Sequence, residues 1–223
     1  MCVFRKTAKF LNLAFKIDKL KTKYKNSALC LSEKLASFYT QRFIHKTVRQ
    51  HIQKAMNWTE YREQLIKNID VLSLERRLDF AIEICERLLP DYKAFYNEYK
   101  WGNLDSLTDG LVLCKQNANG LDTDVKSIER LISLIEEITP DTEDFGEVSG
   151  SLALNSASAI IETLNFILDN KTERITDIGS FSYDSAFFKA GELNPKLSDA
   201  EVENEIELQN EVAWQLEKTK YVA

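Results

Sequence analysis

Residues 150–168 constrain this chain more than any other segment. Leu152, Ala153, Ala157, Ile160, Ile161, Leu164 and Ile167 recur so densely that a helix drawn through them keeps only a thin polar edge. A helix that is apolar over most of its circumference has to be surrounded by other apolar surface. No stretch of the chain approaches the roughly 18 consecutive apolar residues of a membrane span. The segment is therefore expected in the middle of a helical bundle.

The flanking sequence supplies the helices that would surround it. Asn57 with Glu60 three residues on reads as a capping box opening a helix through about Ile69. Ser73 precedes a stripe of Leu74, Leu78, Ala81, Cys85 and Leu88, widened by Ile82 and Leu89, with Glu75, Asp79, Glu83 and Arg87 on the other side. Glu83 and Arg87 are placed as an i,i+4 ion pair. Pro90 is expected to end that helix and open the next, whose Tyr92, Phe95, Tyr96 and Tyr99 make an aromatic face. Gly102 breaks the pattern, a further helix carries Leu107, Leu111 and Cys114, and the turn formers from Asn117 to Gly120 close it. Asp122 or Thr123 is expected to cap the next helix, in which Val125, Ile128, Leu131, Ile132 and Ile135 recur before Pro140. After the central segment come helices from about Thr172 to Ala190 and from Ser198 to Lys218. The last of these has Val202, Ile206, Ala213 and Leu216 inward and Glu201, Glu203, Glu205, Glu207 and Glu211 mostly outward. No run alternates with the period of a strand, and seven Gly and three Pro are too few for the turns of a sandwich or barrel. The expected fold is all-α, a compact multi-helix bundle with a central apolar helix near 150–168, preceded by a basic helical N-terminal extension.

Charge divides the chain where hydrophobic periodicity does not. Residues 1–55 hold 13 Lys+Arg against 2 Asp+Glu, whereas residues 56–223 hold 16 against 33, a swing from +11 to −17. Two domains follow from this, a basic extension at 1–55 and an acidic helical body at 56–223. The best apolar run of the extension, Phe10-Leu-Asn-Leu-Ala-Phe15, is short and closed by Lys16, so it does not make a secretory signal. The extension reads as translated upstream sequence from a start assigned too early, as a docked helical arm, or as an arm that binds an anionic surface. Four cysteines in a chain of 223 residues do not suggest a disulfide framework, which points to a reducing compartment and a cytoplasmic protein.

The body offers little catalytic chemistry. Both histidines, His45 and His51, lie in the extension, so the body lacks the commonest general base and the usual transition-metal ligand. There is no phosphate-binding loop, nucleophile elbow, dinucleotide fingerprint or zinc-spaced cysteine pair. Cys85 and Cys114 fall on apolar stripes and are expected to be core residues. Asp141, Glu143, Asp144 and Glu147 gather around a turn and are the candidate ligands for a hard cation. An EF-hand register from Asp141 fails, because position 5 is Phe145 and position 12 is Leu152, so these acids are expected to cap the following helix. Glu86, Asp91, Asp184 and Glu211 are a second set that could converge on a metal, though bundle sites of that kind use Glu-x-x-His pairs and the body has no His. No catalytic residue and no cofactor are assigned.

Three segments, Cys85-Glu-Arg-Leu-Leu-Pro-Asp-Tyr92, Pro140-Asp-Thr-Glu-Asp-Phe145 and Ser151-Leu-Ala-Leu-Asn-Ser-Ala-Ser-Ala-Ile160, resemble the YjaG-like family, catalogued as domain of unknown function 416, over roughly residues 57–218. The resemblance implies a compact, mostly helical bacterial cytoplasmic protein with no established activity. Asn155 stands where an Asp is expected, and Ser182-Tyr-Asp184 loosely matches the family's Ser/Thr-rich acidic stretch. Both departures count against a catalytic carboxylate at those positions.

The functional expectation is a non-enzymatic protein-interaction module whose acidity suits a basic protein partner. With a body at −17, direct binding of nucleic acid is not expected, because phosphate would be repelled. The alternatives are a toxin-neutralising or nucleic-acid-mimicking acidic protein, and a carboxylate-metal enzyme that works without His.

Overall fold

Asn57 opens the first helix in the way its sequence requires. Its side chain accepts from the Glu60 backbone N–H at 2.9 Å, and Glu60 returns the bond to the Asn57 N–H at 3.3 Å. In this computed structural model the described residues are 55–146 and 148–220, part of one unit, Ala55–Ala223. Expectations for residues 1–54 and for Glu147 lie outside the described residues.

Among the described residues there are eight helices and no strand: α1 (Trp58–Asp70), α2 (Leu74–Tyr99), α3 (Leu104–Ala118), α4 (Val125–Glu136), α5 (Val148–Asp169), α6 (Thr172–Leu193), α7 (Asp199–Val202) and α8 (Ile206–Lys218). The all-α bundle is thus as expected. Helix α5 is its centre and packs on α2, α3, α4 and α6. Ala153, Ala157, Ala159, Ile160 and Leu164 are fully buried there. By length and composition alone α5 would also suit a membrane span, but here neighbouring helices cover it.

Several local expectations are corrected. Pro90 ends no helix, since α2 runs through it to Tyr99. A proline inside a helix costs about 3 kcal/mol through the lost hydrogen bond and the crowded turn. Buried Ile84, Cys85 and Leu88 lie before it and buried Tyr92 and Phe95 after it. At about 1.5–3 kcal/mol for each large apolar side chain, their burial outweighs that cost. The exposed position of Pro90 also leaves water able to reach the orphaned carbonyl.

Helix α4 is capped by Asp124, whose carboxylate accepts from the Ser127 N–H at 3.2 Å, and not by Asp122 or Thr123. The Thr123 hydroxyl is instead taken up by Asn117 Nδ2 at 3.1 Å. The expected Glu83–Arg87 pair within α2 gives way to pairs across to α8, Glu83 with Lys218 at 2.6 Å and Arg87 with Glu211.

The expected helix from Ser198 to Lys218 is two helices. Between them Glu203 accepts from the Trp58 N–H at 3.1 Å, and in the first turn of α8 Gln209 exchanges hydrogen bonds with the backbone N–H and C=O of Met56. These bonds hold the joint against the start of α1. The inward face of α8 is Leu208, Glu211, Val212 and Gln215, whereas Ala213 is exposed. Glu211, expected outward, is only 7% exposed.

Candidate functional site

Among the described residues, the acids proposed from sequence as cation ligands do not gather into a metal-binding cluster. Asp141 closes its own turn: its carboxylate accepts from the Glu143 N–H at 2.8 Å, and its carbonyl from the Phe145 N–H at 2.9 Å. Glu143 and Asp144 are exposed beside it, and Glu147 lies outside the described residues. The second set is also separated. Glu86 pairs with Lys115 of α3 at 2.7 Å, Asp91 with Lys189 of α6 at 2.8 Å, and Glu211 with Arg87 of α2, while Asp184 sits on α6 without an ion pair among the described residues. No cluster of three or more His, Cys, Asp or Glu at metal-binding separation occurs among the described residues.

The thiols are buried as their stripes predict. Cys85 Sγ lies 3.2 Å from Thr163 Oγ1, and burial pushes its thiol up to about 12. Burial likewise lifts the Cys114 thiol well above its ordinary value. A thiol so placed is un-ionised at neutral pH and a poor nucleophile.

One buried carboxylate, expected from sequence as a surface charge, sits in a polar network among the described residues. Glu211 Oε1 accepts from Ser182 Oγ at 2.7 Å and from Gln215 Nε2 at 3.0 Å, while Oε2 takes the Arg87 guanidinium. Arg87 in turn lies over the Trp214 ring, 4.1 Å from its centroid. The Gln215 amide continues inward, accepting from the Tyr61 hydroxyl at 2.7 Å and donating to the Gly179 carbonyl at 3.1 Å. Burial, followed by the charge of Glu211, holds the Tyr61 hydroxyl well above its usual range.

Gly179 makes this contact between helices possible. A Cβ there would fall 2.6 Å from Leu65 Cδ2 and 2.9 Å from Gln215 Oε1. The network ties α1, α2, α6 and α8 together through satisfied hydrogen bonds, which is what a buried carboxylate needs. The signal for it in the sequence is the run Leu208, Glu211, Val212, Gln215 at i, i+3, i+4 and i+7, a buried helix face in which polar residues take half the places.

A second feature lies at the end of the molecule where α4 meets α5. From 131 to 170 the sequence contains no Lys or Arg. Glu136, Glu137, Asp141, Glu143 and Asp144 of this stretch are exposed, and no ion pair among the described residues reaches them. This acidic rim stands on an aromatic base. Phe145 meets Phe95 edge-on at 4.9 Å and Tyr99 at 5.3 Å, and packs 5.1 Å from Trp101. The Tyr92 hydroxyl donates to the Ile138 carbonyl at 2.9 Å, fixing the end of α4. Gly150 lets the first turn of α5 approach, since a Cβ there would meet the Phe145 carbonyl oxygen at 2.1 Å. The cation-free run is legible in the sequence once charges are followed along the chain rather than summed over it. Chemically, the rim offers a fixed field of negative charge and neither a positioned base nor a nucleophile.

The relatives of the chain agree with this fold. No curated protein matches it. Among solved structures it is similar to a DUF416 family protein from Shewanella baltica OS155, with 25% identity and a TM-score of 0.57, over 71% of this chain and 87% of that one. Residues 64–223 match the family described as "Protein of unknown function (DUF416)", and the chain belongs to that family.

Proposed function

We propose that this protein is a non-enzymatic interaction module of the bacterial cytoplasm that receives a basic protein partner. The observation that carries the reading is the acidic rim: five exposed carboxylates between Glu136 and Asp144, in a stretch of 40 residues without a cation, held on a packed aromatic base. An acidic surface of this kind accelerates encounter with a basic partner and selects against acidic ones. The histidine-free body and the buried, un-ionised thiols support a binding role over a catalytic one. Unpaired thiols also suit a reducing compartment.

The test is capture from bacterial lysate on the immobilised full-length chain at low and high salt, beside a variant carrying Glu136→Gln, Glu137→Gln, Asp141→Asn, Glu143→Gln and Asp144→Asn. The expected result is a discrete basic protein retained at low salt, released at high salt and missing from the variant. Equal retention by the variant would refute the role of the rim.

A further inference from the structure

Helix α6 packs on α1, α2, α5 and α8 through Ile175, Ile178, Gly179, Ser182, Tyr183 and Ser185, which are buried. The line it leaves toward solvent is Asp177, Phe181, Asp184 and Phe188, at i, i+4, i+7 and i+11. Asp177 is exposed, Phe181 and Asp184 are half-buried, and Phe188 is 36% exposed. A solvent line on a helix is ordinarily polar. This one alternates carboxylate and phenyl ring at the spacing by which one helix accepts another along a seam, over about three turns.

The charges on the line are incomplete. Neither Asp177 nor Asp184 makes an ion pair or a side-chain hydrogen bond among the described residues. Arg174, the guanidinium nearest in sequence to Asp177, is engaged by Asp169 and Glu162. Burial lifts the Asp184 carboxyl above its usual range, and burial together with the Glu162 charge lifts that of Asp177, although the Arg62 and Arg174 charges offset part of that rise. A cation delivered from outside would relieve both. The same α6 line of a second copy would not, since it would set like charges face to face.

We propose that the Asp177–Phe181–Asp184–Phe188 line is the docking face for a basic amphipathic helix of the partner, a reading that rests on the basic-partner function above. Apolar residues of that helix seat on Phe181 and Phe188, and its Lys or Arg side chains reach Asp177 and Asp184. The Phe188 end lies toward the acidic rim. Lys189 pairs with Asp91 on α2, and the adjacent Tyr92 and Phe95 hold Ile138 and Phe145 of the rim. The rim then steers the incoming charge and the α6 line grips it.

The experiment measures binding of a fluorescent synthetic helix to the full-length chain by anisotropy and stopped flow. The probe is a peptide of about 18 residues with Leu and Lys at heptad spacing, and the control is a scrambled peptide of the same composition. The heptad peptide is expected to bind in preference to the scrambled one. Affinity should fall by about tenfold or more in an Asp177→Asn, Asp184→Asn double variant and in Phe188→Ser, both still unfolding cooperatively and no less stable than needed to stay folded at the assay temperature. The rim variant should mainly slow association. Equal binding of the scrambled peptide, unchanged affinity in the double variant, or no binding of the heptad peptide would each overturn the proposal. If salt-sensitive capture from lysate persists in any of those cases, only the α6 line falls. If capture fails as well, the basic-partner function falls with it.

Discussion

At the scale of single residues, opposite electrostatic environments give opposite responses to pH. The Arg174 guanidinium, hydrogen-bonded to Asp169, holds that carboxyl well below the carboxylate range. Its stabilisation is present above the unfolded value near 3.9 and is lost as pH falls through the lower folded value. Asp184 is the reverse case, because burial raises its carboxyl, so the folded state is penalised once pH rises above the unfolded value. Asp169→Asn should therefore lower the melting temperature at pH 7, and Asp184→Asn should raise it. Both differences should shrink as the buffer is taken below about pH 4. Thermal melts across that range check the signs, and a destabilised Asp184→Asn at pH 7 would refute the reading of that site. Glu211 is a stronger constraint. Glu211→Ala orphans Ser182, Gln215 and one side of Arg87, an expected loss of about 1–3 kcal/mol by urea denaturation. Arg87 is half exposed and recovers water, which keeps the loss below that of a fully buried pair.

At the scale of elements, α2 shows a local rule yielding to tertiary packing. Pro90 lies inside the helix because α5 buries the face of α2 on both sides of it. Pro90→Ala should restore one hydrogen bond at little packing cost and stabilise the protein by about 1–3 kcal/mol, reduced by the greater freedom of the unfolded chain. An unchanged denaturation midpoint would mean that the backbone around Glu86 has already adapted. The split between α7 and α8 has a comparable origin: Glu203 and Gln209 spend their side chains on the backbone of Met56 and Trp58 instead of facing water along one continuous helix.

At the scale of the whole molecule, α2, α3, α4 and α6 are arranged around α5, and α1, α7 and α8 pack on α6. Ile160 is fully buried, and its Cγ2 lies within 2.9 Å of where a Cβ on Gly110 of α3 would sit. Ile160→Asp would strand a carboxylate in that centre at a cost of several kcal/mol, comparable to the whole stability of a typical domain. Loss of the cooperative melt by circular dichroism is the expected outcome, and a parent-like melt would show that α5 is not the centre. The sequence by itself determined the fold class, the central helix, the capping box at Asn57 and the burial of Cys85 and Cys114. Each of these depends on residues within a few turns of one another, so spacing alone reports it. Only the tertiary structure decided that α2 passes through Pro90, that Glu83 and Arg87 turn to α8 rather than to each other, and that Glu211 faces inward. In each case the deciding partner lies far off in sequence, as Glu211 does from Arg87 and Ser182. A carboxylate with no visible partner reads as a surface charge until the fold supplies a guanidinium, a hydroxyl and an amide to satisfy it.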